Sequence, residues 1–502
     1  MKYFCHTFFL LIILGFISCK NPSQKKTEIT ENATPESLGI SSQAILDFIN
    51  AAEKELPNSL HSFYMLRHGK EVASGWWDPY EQEAPHSLYS LSKSFTSTAI
   101  GIAQEEGLLS INDSVISFFP EETPDSISPN LKAMRIRDLL KMNSGHNLEP
   151  WAATTQNKES WVKGFLSAKV EHKPGTHFVY NSMATFMLSA IITKVTGERL
   201  RDYLMPRLFD PLKIENPTWD QNVNGIDFGG WGLHLRTEDI AKFGQLYLQK
   251  GKWNDVQLVP EAWVEEATSF QTSNGSDPNS DWEQGYGYQF WMCRHGFYRG
   301  DGAFGQFCIV MPEQDAVLAM TSGTQNMKKI MNLAWDHLLP AFKNEPLKQN
   351  DSLLQILREK TANLKLSPVE GEKTSSKAEE ISGETYTLDN NNWGLQNITF
   401  NMTGDEKSIV FKSADSTYTL PIGFGEYQEG YYKFSEIGKQ SVATSAAWIT
   451  KDTLQLMMYI DETPHAYTAK VSFGENKMTM ERELNVFFGE TKQKPLEGKT
   501  MK

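Results

Sequence analysis

Tyr89-Ser90-Leu91-Ser92-Lys93-Ser94-Phe95-Thr96-Ser97 is the stretch on which the reading of this chain turns. A serine hydroxyl is a poor nucleophile until a base takes its proton. On a helix, residues i and i+3 share a face, so Lys93 reaches the Ser90 oxygen. A desolvated lysine holds its proton less tightly and can serve as that base. N–H groups at a helix start favour the anion that develops. The spacing alone is common, since Ser23 with Lys26 and Ser160 with Lys163 repeat it. Context separates the three. Phe95, Ala99, Ile102 and Ala103 set an apolar helical stripe behind Ser90, and Gly107 is a natural stop. Ser23 lies in a polar, aperiodic segment. Without further context, Ser90 and Lys93 fit an ordinary polar helix start equally well.

Outward from this stretch, the pattern predicts a helix over residues 41–56, where Ile45, Phe48, Ile49 and Ala52 recur at helical spacing. Residues 62–66 and 71–74 read as strands flanking a His68-Gly69 turn. Residues 90–270 are mostly helical. Strand signals return at 286–292, 296–299, 306–311 and 316–321, followed by an amphipathic helix carrying Met327, Ile330, Ala334 and Leu338. Early and late strands separated by helices imply an α/β (α+β) fold. One antiparallel sheet, expected to be five-stranded, is covered by the first and last helices, with a helical insertion to one side. After residue 384 apolar and polar residues alternate, as in Ile398, Phe400 and Met402 or Leu454, Leu456, Met458 and Ile460. That predicts a separate all-β domain, barrel or sandwich. The expected organisation is a signal segment at 1–18, a tether at 19–37 and a main domain at 38–345. A linker at 346–383, the β domain at 384–490 and a tail at 491–502 complete it.

The 502 residues are 40% hydrophobic, enough to build large cores, and the net charge of −14 argues against a nucleic-acid partner. The apolar run Phe8 to Ile17 is too short to span a bilayer and has secretory proportions. Cys19 follows at once, so lipidation there is expected, with the cell envelope as location and the lipid as sole membrane contact. Phe16 departs from the usual Leu, and a plain signal segment is the alternative. In the body, Cys293 and Cys308 either pair or remain buried thiols. Neither Gly-x-Ser-x-Gly, His-Glu-x-x-His nor a phosphate-loop motif occurs.

Residues 89–97 closely resemble the first motif of the serine β-lactamase-related family. That family includes class C β-lactamases, D-alanyl-D-alanine carboxypeptidases, family VIII-type esterases and 6-aminohexanoate-dimer hydrolases. The resemblance runs over about residues 37–342 and includes Asp138 to Gly145, Pro174 to Ser182, Leu235 to Gly244 and Gly285-Tyr286-Gly287-Tyr288. Tyr180-Asn181-Ser182 is similar to the second motif, with Ser182 where β-lactamases have Asn, as in the esterase and aminohexanoate-hydrolase branch.

The resemblance implies acyl transfer without metal or organic cofactor, on a small-molecule or peptide ester or amide. Ser90 attacks, Lys93 takes its proton and Tyr180 relays it. Gly300-Asp301-Gly302 would be the third motif, at the substrate edge, and the N–H groups of Ser90 and Ala303 the oxyanion hole. The Lys and Thr that receive a β-lactam carboxylate are missing there. Ser182 is expected to face substrate. Trp77 either walls the acyl pocket or packs in the core. The alternatives are a non-catalytic binder of peptidoglycan or another envelope polymer, and a D-amino-acid peptidase or β-lactamase.

Overall fold

The structure, a computed structural model, describes residues 33–434 and 438–500. The expected signal segment and Cys19 lie outside these residues. Glu36, expected in the tether, is buried, and its carboxylate accepts from Ser42 N at 2.8 Å.

Helix α1 (Ser42–Glu55) starts where Ser41 caps it, its hydroxyl accepting from Ala44 N at 3.2 Å. The hairpin β1 (Leu60–Arg67) and β2 (Lys70–Trp76) turns through His68 and Gly69, at φ 51° and 69°. Two left-handed residues match the twist of the strands they join. The chain then turns mainly helical, with α2 (Ser92–Glu105), α3 (Ser182–Thr196) and α4 (Thr237–Leu248) the longest elements. It returns as β3 (Trp291–Met292), β4 (Tyr298–Gly302), β5 (Gln306–Met311) and β6 (Ala316–Ser322), then α5 (Met327–Leu333).

The strands form an antiparallel sheet in the order β2-β1-β6-β5-β4-β3. It has six strands rather than the expected five, because both early and all four late strand signals pair into it, the last at the edge as the two-residue β3. The strand expected over 286–292 shrinks to β3 because Gln289 holds φ of 65° and breaks the extended run. All eight residues of β1 are buried, since α1 and α5 cover one face of the sheet and α4 the other. Cys293 and Cys308 are free and buried.

The segment expected as a linker carries α6 (Asp351–Ala362) and α7 (Ser376–Ile381). Leu357, Leu364 and Leu366 enter the first core, and Ala378 and Ile381 enter the second. Its charged composition belongs only to the outward faces. The rest of the chain forms an eleven-stranded sheet curled into a nearly closed barrel around Ile398, Phe400, Val442, Leu454 and Val471. The Thr444 hydroxyl lies 2.5 Å from Pro421 O and 3.1 Å from Gln428 O, where the curled sheet closes. The expected tail is instead the strand Lys492–Thr500, paired with both Thr385–Leu388 and Lys477–Leu484. Leu496 points inward while the neighbouring lysines face solvent. Tyr459 and Ala466, from the barrel, pack into the first core.

Candidate active site

Ser90 lies in the tight turn Tyr89–Leu91 that runs directly into α2, which puts Lys93 one turn on and on the same face. Lys93 is buried. Its Nζ donates to Ser90 Oγ at 2.9 Å, Ser182 Oγ at 3.1 Å and Gly230 O at 2.7 Å. None of these acceptors is charged. Burial therefore pushes the amine down to about 7, against the smaller opposing pull of Glu149 and Asp301. Near neutral pH much of Lys93 is free amine, able to accept a proton.

Tyr180 precedes α3, whose cap is Asn181: the amide oxygen accepts from Ala184 N at 3.0 Å. The Tyr180 ring stacks on Trp291 at 5.3 Å and stands 4.9 Å from Lys93 Nζ. Burial, then the Asp301 carboxylate, raises its phenol well above the ordinary value, while a hydrogen bond with Ser90 works the other way. Tyr180 thus keeps its proton at neutral pH and can donate it. Lys93 is the group there that can accept one.

β4 explains the Gly-Asp-Gly motif. A Cβ on Gly302 would sit 2.0 Å from Leu88 O, and one on Gly300 would sit 2.4 Å from Leu91 Cδ1. The strand lies directly on the segment bearing the nucleophile, and only glycine allows that approach. Ala303 follows at the end of β4, so the Ser90 and Ala303 backbones stand on adjoining segments. Asp301 is not a free charge. Arg299, fully buried, donates from Nε to Asp301 Oδ2 at 2.9 Å and from Nη1 to Asp281 O at 2.7 Å. Arg294 is engaged by Asp281 at 2.7 Å.

Ser90, Lys93, Tyr180, Ser182, Gly300, Asp301, Gly302 and Ala303 are therefore gathered together. Trp77 is not. It is buried in the first core beside Phe63, with its indole N–H donating to Glu53 at 3.2 Å. An apolar ring between α1 and the sheet is better used as packing than as a pocket wall. Two further groups carry little sequence signal. Gly230 supplies a carbonyl to Lys93, and Glu149 accepts from Ser182 N at 2.5 Å, at the positive end of α3. Both come from loops remote in sequence from Ser90. The Gly229-Gly230 pair between aromatics was the one available hint.

This fold and this constellation define a serine-hydrolase type of protein. The chain belongs to the beta-lactamase family, whose model matches residues 61–341. It is similar to the 6-aminohexanoate-dimer hydrolase of Paenarthrobacter ureafaciens, 23% identical over 313 residues, which cover 58% of this chain and 79% of that one. It is 28% identical over 164 residues to protein flp of Staphylococcus aureus (strain MW2), covering 31% of this chain and 33% of that one. Among solved structures it resembles EstCE1, a hydrolase with promiscuous acyltransferase activity. The TM-score is 0.50 and the identity 15%, over 59% of this chain and 99% of that one. At that identity the likeness shows the fold alone.

Proposed function

We propose that this protein cleaves an ester or amide through an acyl-enzyme on Ser90. The carrying observation is the buried Lys93 amine, 2.9 Å from Ser90 Oγ and pushed down to about 7. Ser90 Oγ attacks the carbonyl carbon as its proton passes to Lys93. The N–H groups of Ser90 and Ala303 hold the tetrahedral oxyanion. The C–O or C–N bond breaks, Tyr180 protonates the leaving group, and Lys93 returns a proton to Tyr180. Water then attacks the acyl carbon, with Lys93 taking its proton, and Ser90 leaves protonated. With Asp301 neutralised by Arg299, the motif offers no free cation for a substrate carboxylate, which favours neutral esters and amides.

A fluorophosphonate probe followed by intact-mass analysis tests the nucleophile. One adduct per chain is expected, absent in Ser90→Ala with its melting temperature kept. A label that persists in Ser90→Ala and maps elsewhere overturns the assignment. Short-chain esters, D-amino-acid peptides and nitrocefin then define the substrate class.

A further inference from the structure

The barrel contains a second buried cation. On the strand Lys477–Leu484, Met478, Met480, Arg482 and Leu484 alternate inward. Met480 and Arg482 face a cavity lined mainly by apolar side chains such as Phe411, Leu420, Leu456 and Ala469, with Tyr432, Tyr467 and Thr444 also on its wall and Arg482 as its cationic group. Arg482 is 4% exposed. Its Nη2 donates to Lys494 O at 2.8 Å, while Nε and Nη1 have no hydrogen-bond partner. The guanidinium lies 3.9 Å from the Trp393 ring, and no carboxylate pairs with it among the described residues. Burial holds it below its ordinary value, and a guanidinium keeps its charge in a protein.

A permanent charge in an apolar cavity with two unmet donors is a destabilising arrangement unless an anion arrives. The Trp393 face offsets only part of that, because a ring quadrupole attracts the cation but accepts no strong hydrogen bond. We propose that the barrel binds a single-chain aliphatic carboxylate, its head on Arg482 Nε and Nη1 and its chain along the apolar interior. The class follows from the lining. One guanidinium in a mainly apolar cavity, with only neutral hydroxyl-bearing side chains (Tyr432, Tyr467, Thr444) besides, suits a small monoanion, whereas a phosphate would bring a second charge with no cationic partner. The cavity is narrow, about 50 Å³, and Met457, Met458 and Met480 line it. Methionines repack easily, so the chain opens space as it enters. This site is independent of the Ser90 chemistry.

Calorimetric titration of the full chain with decanoate, with decanol as the uncharged control, tests the proposal. Saturable binding of decanoate is expected. Arg482→Met should weaken decanoate about tenfold to a hundredfold, the loss expected for hydrogen bonds to a charged group. It should leave decanol binding and Ser90 labelling unchanged. Its melting temperature should hold or rise, because a buried charge without a partner is removed. Ala469→Leu, which fills the cavity and spares the arginine, should block both ligands. Absence of decanoate binding overturns the proposal. So does binding that survives Arg482→Met or Ala469→Leu undiminished. So does a fall in melting temperature on Arg482→Met, since that would make the arginine a structural element.

Discussion

Lys93 in the first domain and Arg482 in the barrel are both buried cations beside aromatic rings, yet their surroundings treat charge in opposite ways. Lys93 has three neutral acceptors, and burial brings its amine to about 7. An amine can shed its proton, so that setting yields a group that changes charge during a reaction. A guanidinium cannot, so at Arg482 the same desolvation leaves donors waiting for an anion. Residue type decides what an apolar environment makes of a cation: the proposed base in one domain, the proposed anion site in the other.

The sharpest way to break the comparison is to make Lys93 behave like Arg482. Lys93→Arg keeps the charge and removes the ability to deprotonate. Loss of general-base assistance is expected to reduce kcat/KM by about 10²–10⁴, and near-wild-type turnover would end the assignment of Lys93 as base. In the wild type the rate should rise with pH, with a midpoint near 7. Stability follows the same shift. The folded value lies below the unfolded 10.5, so the unfolded chain binds the extra proton between about 7 and 10.5. The stability penalty of burying Lys93 is therefore complete below about pH 7 and fades as pH climbs to 10.5. Lys93→Met should raise the melting temperature more at pH 6 than at pH 10, and an equal effect at both would contradict the shift.

Asp301 sharpens the comparison, since it is the carboxylate that Arg299 has and Arg482 lacks. Asp301→Asn leaves Arg299 buried and unpaired, which should cost about 3–5 kcal/mol of stability. It also removes one of the two carboxylates that raise Lys93, so the pH midpoint should fall below that of the wild type. Glu149→Gln should move the midpoint the same way through the other. With Arg299 unopposed, turnover of nitrocefin relative to a neutral short-chain ester should rise about tenfold, one desolvated charge contact. A wild type that turns over nitrocefin efficiently and esters negligibly would overturn the neutral-substrate preference.

The parts legible in the sequence were those whose partners lie close in the chain. Ser90 and Lys93 are one turn apart, the His68-Gly69 turn carries its own conformational signal, and Tyr180 opens a strongly apolar helix. The parts missed depend on distant partners. Lys492–Thr500 looks like a charged tail because only Leu496 and Gly498 face inward, and its role appears only once Thr385–Leu388 is beside it. Residues 346–383 read as a linker because their few apolar residues are divided between two separate cores. Trp77 reads as either pocket wall or core packing, and the neighbours that decide for the core, Phe63 and Glu53 on α1, are not adjacent to it in sequence.

The smallest expected effect concerns the join between the two regions. Tyr89 and Phe304, next to Ser90 and Ala303, hold φ of 47° and 69°. Bulky side chains keep such backbone only when their surroundings enforce it. Ser92, Ser322 and Thr324 hold their carbonyls from within the first domain, and the barrel holds their side chains. The Tyr89 hydroxyl is 2.6 Å from His465 Nε2, Phe304 packs on Phe488 at 4.9 Å, and Tyr89 meets Phe304 edge-on at 5.3 Å. His465 thus acts as a positioning residue for the two segments that carry the proposed oxyanion donors. Cutting the chain at Leu353 would also strip Leu357, Leu364, Leu366, Tyr459 and Ala466 from the first core, so point changes in the full chain are the cleaner test. His465→Ala should lower kcat about tenfold, a fraction of what loss of an oxyanion donor costs, with KM little changed. Tyr89→Phe should match it, and the double variant should be no worse than either, because both remove one contact. His465→Gln, which can still accept from Tyr89, should recover part of the rate. Additive losses, or a fall in melting temperature that accounts for the lost activity, would show that the barrel merely covers the first domain.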